Sequence, residues 1–428
     1  MWHTEIARKA LAEGVVFTAI QDPRFKQNQL SVSFLLPLEA ENASANALLP
    51  MVLRRGCADY PDMTLLNRRL KELYGARLDA EVAKRGEIQI LTLYCEVLDD
   101  AFAIGGEKPV AAAAALLKSV LFDPVLEGGA FRREDVEIER KKLAELIEAQ
   151  LNDKMQYASR RAKEIMCAGE AYGVSEYGRR EQAEAVTPRE LYERYRSVLT
   201  GARTEIFLVG PADPWPCESL FAEAFRRVGR KEIIPLATQV IRAPGEVKTE
   251  IERIAVAQSK LVMGFRAGVA TPEKEVPAMQ LACTVFGGSP HSKLFANVRE
   301  KMSLCYYCFS HFERQKGLLM VESGVEEQNY EKARDEILRQ LEDMKQGRFT
   351  DDELHNAVLS LGNSYRQLND SLTSITGWYL GQAIAGSIRT PSQAAAETAA
   401  VTREQIVEAC GKIGLDTIYL LTGEKEAE

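Results

Sequence analysis

Histidine is scarce in this chain: 4 of its 428 residues are His, at positions 3, 291, 311 and 355. No two are four apart, so no helix can offer the one-turn histidine pair of a His-x-x-Glu-His zinc site. A basic face is missing as well. Asp and Glu number 62 against 54 Lys and Arg, a formal net charge of -8, which argues against nucleic acid as a partner, because displacing phosphate counterions takes an excess of cations. No apolar run reaches bilayer-spanning length, and the first thirteen residues are charged and amphipathic, unlike a signal peptide. No membrane partner is expected. The eight cysteines, at 57, 95, 167, 217, 283, 305, 308 and 410, lack the dense spacing of a secreted disulfide scaffold. The chain therefore reads as cytoplasmic. Gly287-Gly-Ser289 is not the Gly-x-Ser-x-Gly of a serine hydrolase elbow.

What is present is enough apolar sequence, 46% of residues, to fill two large domains. Self-comparison at an offset of 231 places Gln27 on Gln258, Leu30 on Leu261, Gly56 on Gly287, Leu73 on Leu304 and Gly86 on Gly317. The surrounding patterns agree: an apolar strand, an apolar helix, a glycine turn, a basic amphipathic helix, then a strand. After one gap, Phe131-Arg-Arg-Glu-Asp-Val136 lies against Phe349-Thr-Asp-Asp-Glu-Leu354, each opening a long helix, the second with a Thr350/Glu353 capping box. Thr187-Pro-Arg-Glu190 and Thr402-Arg-Glu-Gln405 cap a last helix in each half. The chain reads as a duplication. A first lobe is expected over 1–229, a proline-containing linker over 230–247 and a second lobe over 248–428. Strands alternating with helices of a dozen residues predict an α+β fold of two homologous two-layer α/β lobes, each a mixed sheet covered by helices.

One segment carries chemistry. Gly287-Gly-Ser-Pro-His-Ser-Lys-Leu-Phe-Ala-Asn-Val-Arg299-Glu-Lys-Met-Ser-Leu-Cys-Tyr306 runs from a glycine turn through a helix into a strand. The turn Met302-Ser303 lets Arg299 and Tyr306 converge, and guanidinium and phenol both donate to a peptide carbonyl or the oxyanion it becomes. Simple alternation over 304–312 predicts Tyr306, Cys308, Ser310 and Phe312 on one face, with Cys305, Tyr307, Phe309 and His311 on the other. On that reading, Cys305-x-x-Cys308 is no metal site.

This segment resembles the second-lobe signature of the pitrilysin, insulinase and mitochondrial processing peptidase family. The resemblance implies a processing-peptidase-like fold in which Arg299 and Tyr306 bind a peptide substrate at the scissile bond. Catalytic relatives carry His-x-x-Glu-His on a first-lobe helix, yet the corresponding helix here reads Asn46-Ala47-Leu-Leu-Pro50-Met51. Aligned on Gly56, Ala47 and Met51 stand at the ligand positions and Pro50 at the general base. The family register puts Leu146 at the third ligand, with Glu145 one residue early. No metal, no cofactor and no metallopeptidase activity are therefore expected from this chain alone. It resembles the family's inactive bacterial members, which occur with a zinc-bearing partner. That likeness implies an accessory subunit of a heterodimer, with Arg299 and Tyr306 serving the partner's zinc site in trans; a homodimer of the isolated chain stays open. The alternative is a catalytically silent scaffold or peptide-binding protein of the same fold.

Overall fold

Near-continuous apolar runs become central strands, and stretches with a threonine cap and an apolar stripe become helices. The computed structural model describes residues 5–230 and 232–423. In the first half these are β1 (Glu5–Ala12), β2 (Val15–Gln21), β3 (Gln27–Pro37), α1 (Ala43–Leu53), α2 (Met63–Glu72), β4 (Arg77–Arg85), β5 (Ile88–Leu98) and α3 (Pro109–Phe122). The small hairpin β6 (Leu126–Glu127) and β7 (Ala130–Phe131) follows, then α4 (Arg133–Ala149), α5 (Lys154–Met166), α6 (Arg180–Ala185), α7 (Pro188–Gly201), β8 (Arg203–Gly210) and α8 (Trp215–Val228). The second half contains β9 (Lys248–Arg253), β10 (Ser259–Arg266), α9 (Val276–Phe286), β11 (Cys305–Glu313), β12 (Leu318–Val325), α10 (Tyr330–Lys345) and α11 (Asp351–Gln367). It closes with α12 (Leu372–Ile384), α13 (Pro391–Ala399), α14 (Arg403–Gly411) and β13 (Gly414–Thr422).

The two sheets share one strand order. The first runs β1-β2-β8-β3-β5-β4 and the second, read in the same sense, β9-β13-β10-β12-β11. In each, one pair is parallel, β2 with β8 and β9 with β13, and the remaining pairs are antiparallel. Strand β1 is the addition in the first sheet. The aligned glycines Gly86 and Gly317 close equivalent hairpins, β4–β5 and β11–β12, at φ 56° and 70°. Both need the left-handed conformation that glycine adopts without steric cost. The threonine caps form as read: the Glu190, Glu353 and Gln405 amides donate to Thr187, Thr350 and Thr402.

The chain forms two compact units. The described residues of 230–247 carry neither helix nor strand, but the units are not a plain cut at that stretch. One takes Met1–Glu148, Val174–Ala237 and Ser371–Leu380; the other takes Ala149–Gly173, Thr238–Asp370 and Gly381–Glu428. The physical reason lies on α5. Its Ala158, Ala162 and Met166 pack with Val262, Met320, Tyr419 and Leu421 on one face of the second sheet, while Leu261, Met263 and Phe265 point to the helical layer on the other. With both faces covered, β10 has no need of a polar alternation. In the first unit, the Thr376 hydroxyl of α12 donates to Gln29 on β3 at 2.7 Å.

Polar contacts anchor α5 and the residues after it. Ser159 donates to Glu322 at 2.6 Å, and Lys163 pairs with Glu313 at 2.9 Å. Glu170 lies 2.6 Å from Lys316 and 2.7 Å from Arg266, and Arg266 also holds Asp416 at 2.9 Å. Burial pushes the Glu170 carboxyl up, but hydrogen bonds from Arg266 and Lys316 outweigh it and hold the group below the ordinary carboxylate range. Glu170→Gln should cost about 3–5 kcal/mol in urea unfolding at neutral pH, since it leaves buried cations short of a counter-charge. Because the folded-state pKa is depressed, the stabilisation is full above the ordinary carboxylate range and is lost as pH falls through the folded value. The gap between wild type and variant should therefore narrow below about pH 4; a gap unchanged down to pH 3 would count against this ion pairing.

Candidate functional site

Helix α1 stands where a zinc-binding helix is expected from the sequence, and its side chains are spent on packing. Ala47 and Pro50 are buried and Met51 is half-buried; Ala47 belongs to the apolar core of the first unit and Met51 packs against it. A methyl group offers no lone pair to a metal, a thioether is a weak donor outside the Cys, His, Asp and Glu set that holds zinc, and a pyrrolidine ring has no group that could act as a general base. Around them the polar groups are committed to each other. Asn46 donates to Gln89 at 2.7 Å and accepts from Arg194 at 2.6 Å. Arg55, just past α1, bonds Asp135 and Glu139 of α4. Burial opposes the Arg55 charge, but the two carboxylates more than restore it. Glu145 is exposed and lies 3.9 Å from Lys141, and Leu146 is also exposed. Among the described residues, no cluster of three His, Cys, Asp or Glu side chains could hold a metal. A groove of about 730 Å³ on this unit is lined by α3, α7 and α8, including Phe122, Leu199 and Arg196, and contains none of the α1 positions.

The Arg299/Tyr306 segment is built differently. Gly287 ends α9 against β11: its carbonyl accepts from the Ser310 amide at 3.0 Å, and a Cβ there would lie 2.7 Å from that nitrogen. Only glycine allows so close an approach. Residues Phe295–Lys301 then form a π-helical turn, in which the Met302 amide reaches back to Asn297 at 3.1 Å. Such wide turns are uncommon and concentrate at functional positions. Ser303 takes a left-handed φ of 51° to reverse the chain, a conformation that costs a non-glycine residue on the order of 1–2 kcal/mol. Arg299, with 42% of its side chain exposed, lies over the Phe295 ring at 4.6 Å and 3.4 Å from Glu300.

The alternation expected for β11 is broken at its start. Cys305 pairs with Val325, Tyr307 with Gly324 and Cys308 with Ser323, which leaves Tyr306 as an extra residue in a β-bulge. Tyr306 does not share a face with Cys308. It is 64% exposed, whereas Cys308, Ser310 and Phe312 are buried. Cys305, opposite Val325, moves to the Cys308 face, because Val325 and Ser323 are two apart on one strand. Tyr307 does point to the other face, where its ring packs on Gly324, lies 5.8 Å from Phe309 and receives Lys260 at 5.5 Å.

Residues 185–361 match the family model described as "Peptidase M16 inactive domain". Over 415 residues, 97% of each chain, the protein is 32% identical to the "Probable inactive metalloprotease YmfF" of Bacillus subtilis. The chain belongs to the peptidase M16 family. It is one of the inactive M16 members, as the apolar residues on α1 require. The M16 fold extends over the whole chain: a conserved protein from Enterococcus faecalis superposes with a TM-score of 0.89 at 26% identity, covering 99% of this chain and 100% of that one. An M16 inactive-domain structure from Pseudomonas fluorescens superposes with a TM-score of 0.78 at 17% identity, covering 99% of each.

For an M16 chain with this core, rewriting the motif should fail. Ala47 has no exposed surface, so Ala47→His overpacks α1 and should cost about 1–3 kcal/mol in urea unfolding. The triple variant Ala47→His, Pro50→Glu, Met51→His should still take up far less than stoichiometric zinc by elemental analysis after dialysis, since Leu146, the residue expected at the third-ligand position, has no donor atom. One tightly held zinc per chain would refute this.

Proposed function

We propose that this chain is the non-catalytic, Arg/Tyr-bearing subunit of a heterodimeric pitrilysin-type zinc peptidase. A homologous partner supplies the metal and its activated water. This chain binds the peptide substrate through Arg299 and Tyr306 and assists its cleavage in trans. The observation that carries the reading is the setting of Tyr306: a phenol lifted out of the sheet by a bulge, 64% exposed, in a segment kept in shape by a glycine contact, a π-helical turn and a left-handed serine. A tyrosine serving only as sheet packing would be buried.

Peptide hydrolysis places negative charge on the carbonyl oxygen, and a preorganised donor aimed at that oxygen lowers the barrier without reorganising during the reaction. Tyr306 supplies an O–H and Arg299 a forked cation, the two donor types suited to an oxyanion and a flanking peptide carbonyl. The dispersed cysteines support a reduced, cytoplasmic setting for the complex.

The test is reconstitution with a zinc-bearing M16 partner. Tyr306→Phe should leave folding and partner binding intact while lowering peptide turnover by about 100- to 1,000-fold. Tyr307→Phe, whose ring packs on Gly324 and beside Phe309, should change turnover less than about twofold. A partner that cleaves at full rate alone, or a complex indifferent to Tyr306→Phe, would replace this reading with that of a catalytically silent scaffold.

A further inference from the structure

Two arginines share a cavity in the second unit. Arg314 follows β11 in its hairpin with β12, and Arg389 lies between α12 and α13. Both line a cavity of about 130 Å³, together with Thr271, Gln315, Gln382 and Ser387. Every residue around it belongs to the same compact unit. We propose that this cavity binds a small tetrahedral oxyanion of the orthophosphate class. Neither Arg299 nor Tyr306 takes part, and no partner subunit is needed.

Hydrogen bonds fix the walls. The Thr271 amide donates to the Arg314 carbonyl at 2.8 Å, which ties the segment before α9 to the hairpin. On the other side, the Ser387 amide donates to the Gln382 carbonyl at 2.8 Å, and the Ser387 hydroxyl donates to Gln382 Oε1 at 2.6 Å. The Arg389 amide in turn donates to the Ser387 hydroxyl at 3.3 Å. With its oxygen so engaged, the Gln382 side chain keeps an NH2 that has no hydrogen-bond partner among the described residues, although Gln382 is only 3% exposed. A buried amide donor of that kind is costly unless a ligand accepts from it.

Charge points the same way. Glu273 also lines the cavity, but Arg242 holds it through two hydrogen bonds, at 2.7 and 3.1 Å, and keeps its carboxyl below the ordinary range. Glu397 is engaged by the Arg389 guanidinium. Three cations, Arg242, Arg314 and Arg389, thus meet two carboxylates, an excess of one positive charge. Burial lowers the Arg314 pKa, the like charge of Arg389 lowers it further, and Tyr365 opposes both. An anion between the two guanidinium groups relieves their repulsion, and their forked donors match the edges of a tetrahedral oxyanion. At about 30 Å³ per water, the cavity has room for about four waters or one orthophosphate, but not for a nucleotide.

The experiment titrates the full-length chain with inorganic phosphate by calorimetry, in HEPES with ionic strength held constant by sodium chloride. Phosphate should bind with a Kd below about 1 mM, and saturation should raise the melting temperature by roughly 2–5 °C. Arg389→Gln should weaken binding on the order of tenfold or more. In phosphate-free buffer the same variant should shift melting by less than about 2 °C, because the pair it breaks with Glu397 is part-exposed, at 28% and 44%. Gln382→Glu keeps the acceptor for Ser387 and places in the cavity the negative charge that phosphate would bring. It should melt higher than wild type without phosphate and gain nothing when phosphate is added. Should either variant unfold, the other and the wild-type titration decide. Equal melting shifts from phosphate and from chloride at matched ionic strength, or an unchanged phosphate affinity in Gln382→Glu, would overturn the proposal. So would AMP binding more tightly than phosphate, which would assign the cavity to a phosphoryl group on a larger molecule.

Discussion

A fully buried ammonium group, that of Lys316, fixes the second unit. An ammonium with no exposed surface is tolerable only with a carboxylate against it, and the carboxylate is Glu170. Arg266 grips the same group and extends the chain of charge to Asp416. Residues distant in sequence, at two strand ends, in one hairpin turn and on one connecting segment, thereby have one satisfactory arrangement. A buried ion pair adds little net stability over an apolar replacement of equal volume. Its effect here is selective: the segment after α5 has one place to dock, and with it α5 covers the second sheet. The bulged strand β11 is the edge of that same sheet, so the exposure of Tyr306 rests on this anchoring.

The duplicated body allows the same device to be compared in two settings. Each half leads from a central strand through an apolar helix to a glycine, α1 to Gly56 and α9 to Gly287. In the first, the positions that could have carried polar chemistry have joined the core, and the charges nearby neutralise each other across Arg55, Asp135 and Glu139. In the second, the residues after the glycine are mixed: Ser292, Leu294 and Val298 are buried, while His291, Arg299 and Tyr306 stay exposed. Small and apolar residues on α1 thus keep the scaffold of the first unit packed without unpaired charge.

Much of this was legible in the sequence because local rules carried it. Constant spacing exposed the repeat, and the two sheets share a strand order. The capping boxes at Thr187, Thr350 and Thr402 were readable from residue types alone, since a threonine followed three residues later by Glu or Gln satisfies the first turn wherever it occurs. What was not legible depended on partners far along the chain. The bulge at Tyr306 is a mismatch between β11 and β12, invisible to an alternation rule applied to one strand. Lys316 looks like a solvated hairpin residue until Glu170 is placed beside it. The membership of α5 was hidden for the same reason: its apolar stripe of Ala158, Ala162 and Met166 announces a buried face without naming the sheet it faces.

That membership has a consequence for how the chain is made. A ribosome delivers α5 well before β10, β12 and β13, the strands on which it packs. During synthesis its apolar face stays uncovered while β10 and β12 appear, and the sheet beneath it is completed only when β13 emerges. Domains of many chains fold in turn as they leave the ribosome; here the second unit cannot close until β13 has emerged, and the first waits for residues Ser371–Leu380. Vectorial folding gives way to a late, concerted step, and the apolar stripe of α5 waits uncovered until the strands it packs on have followed it.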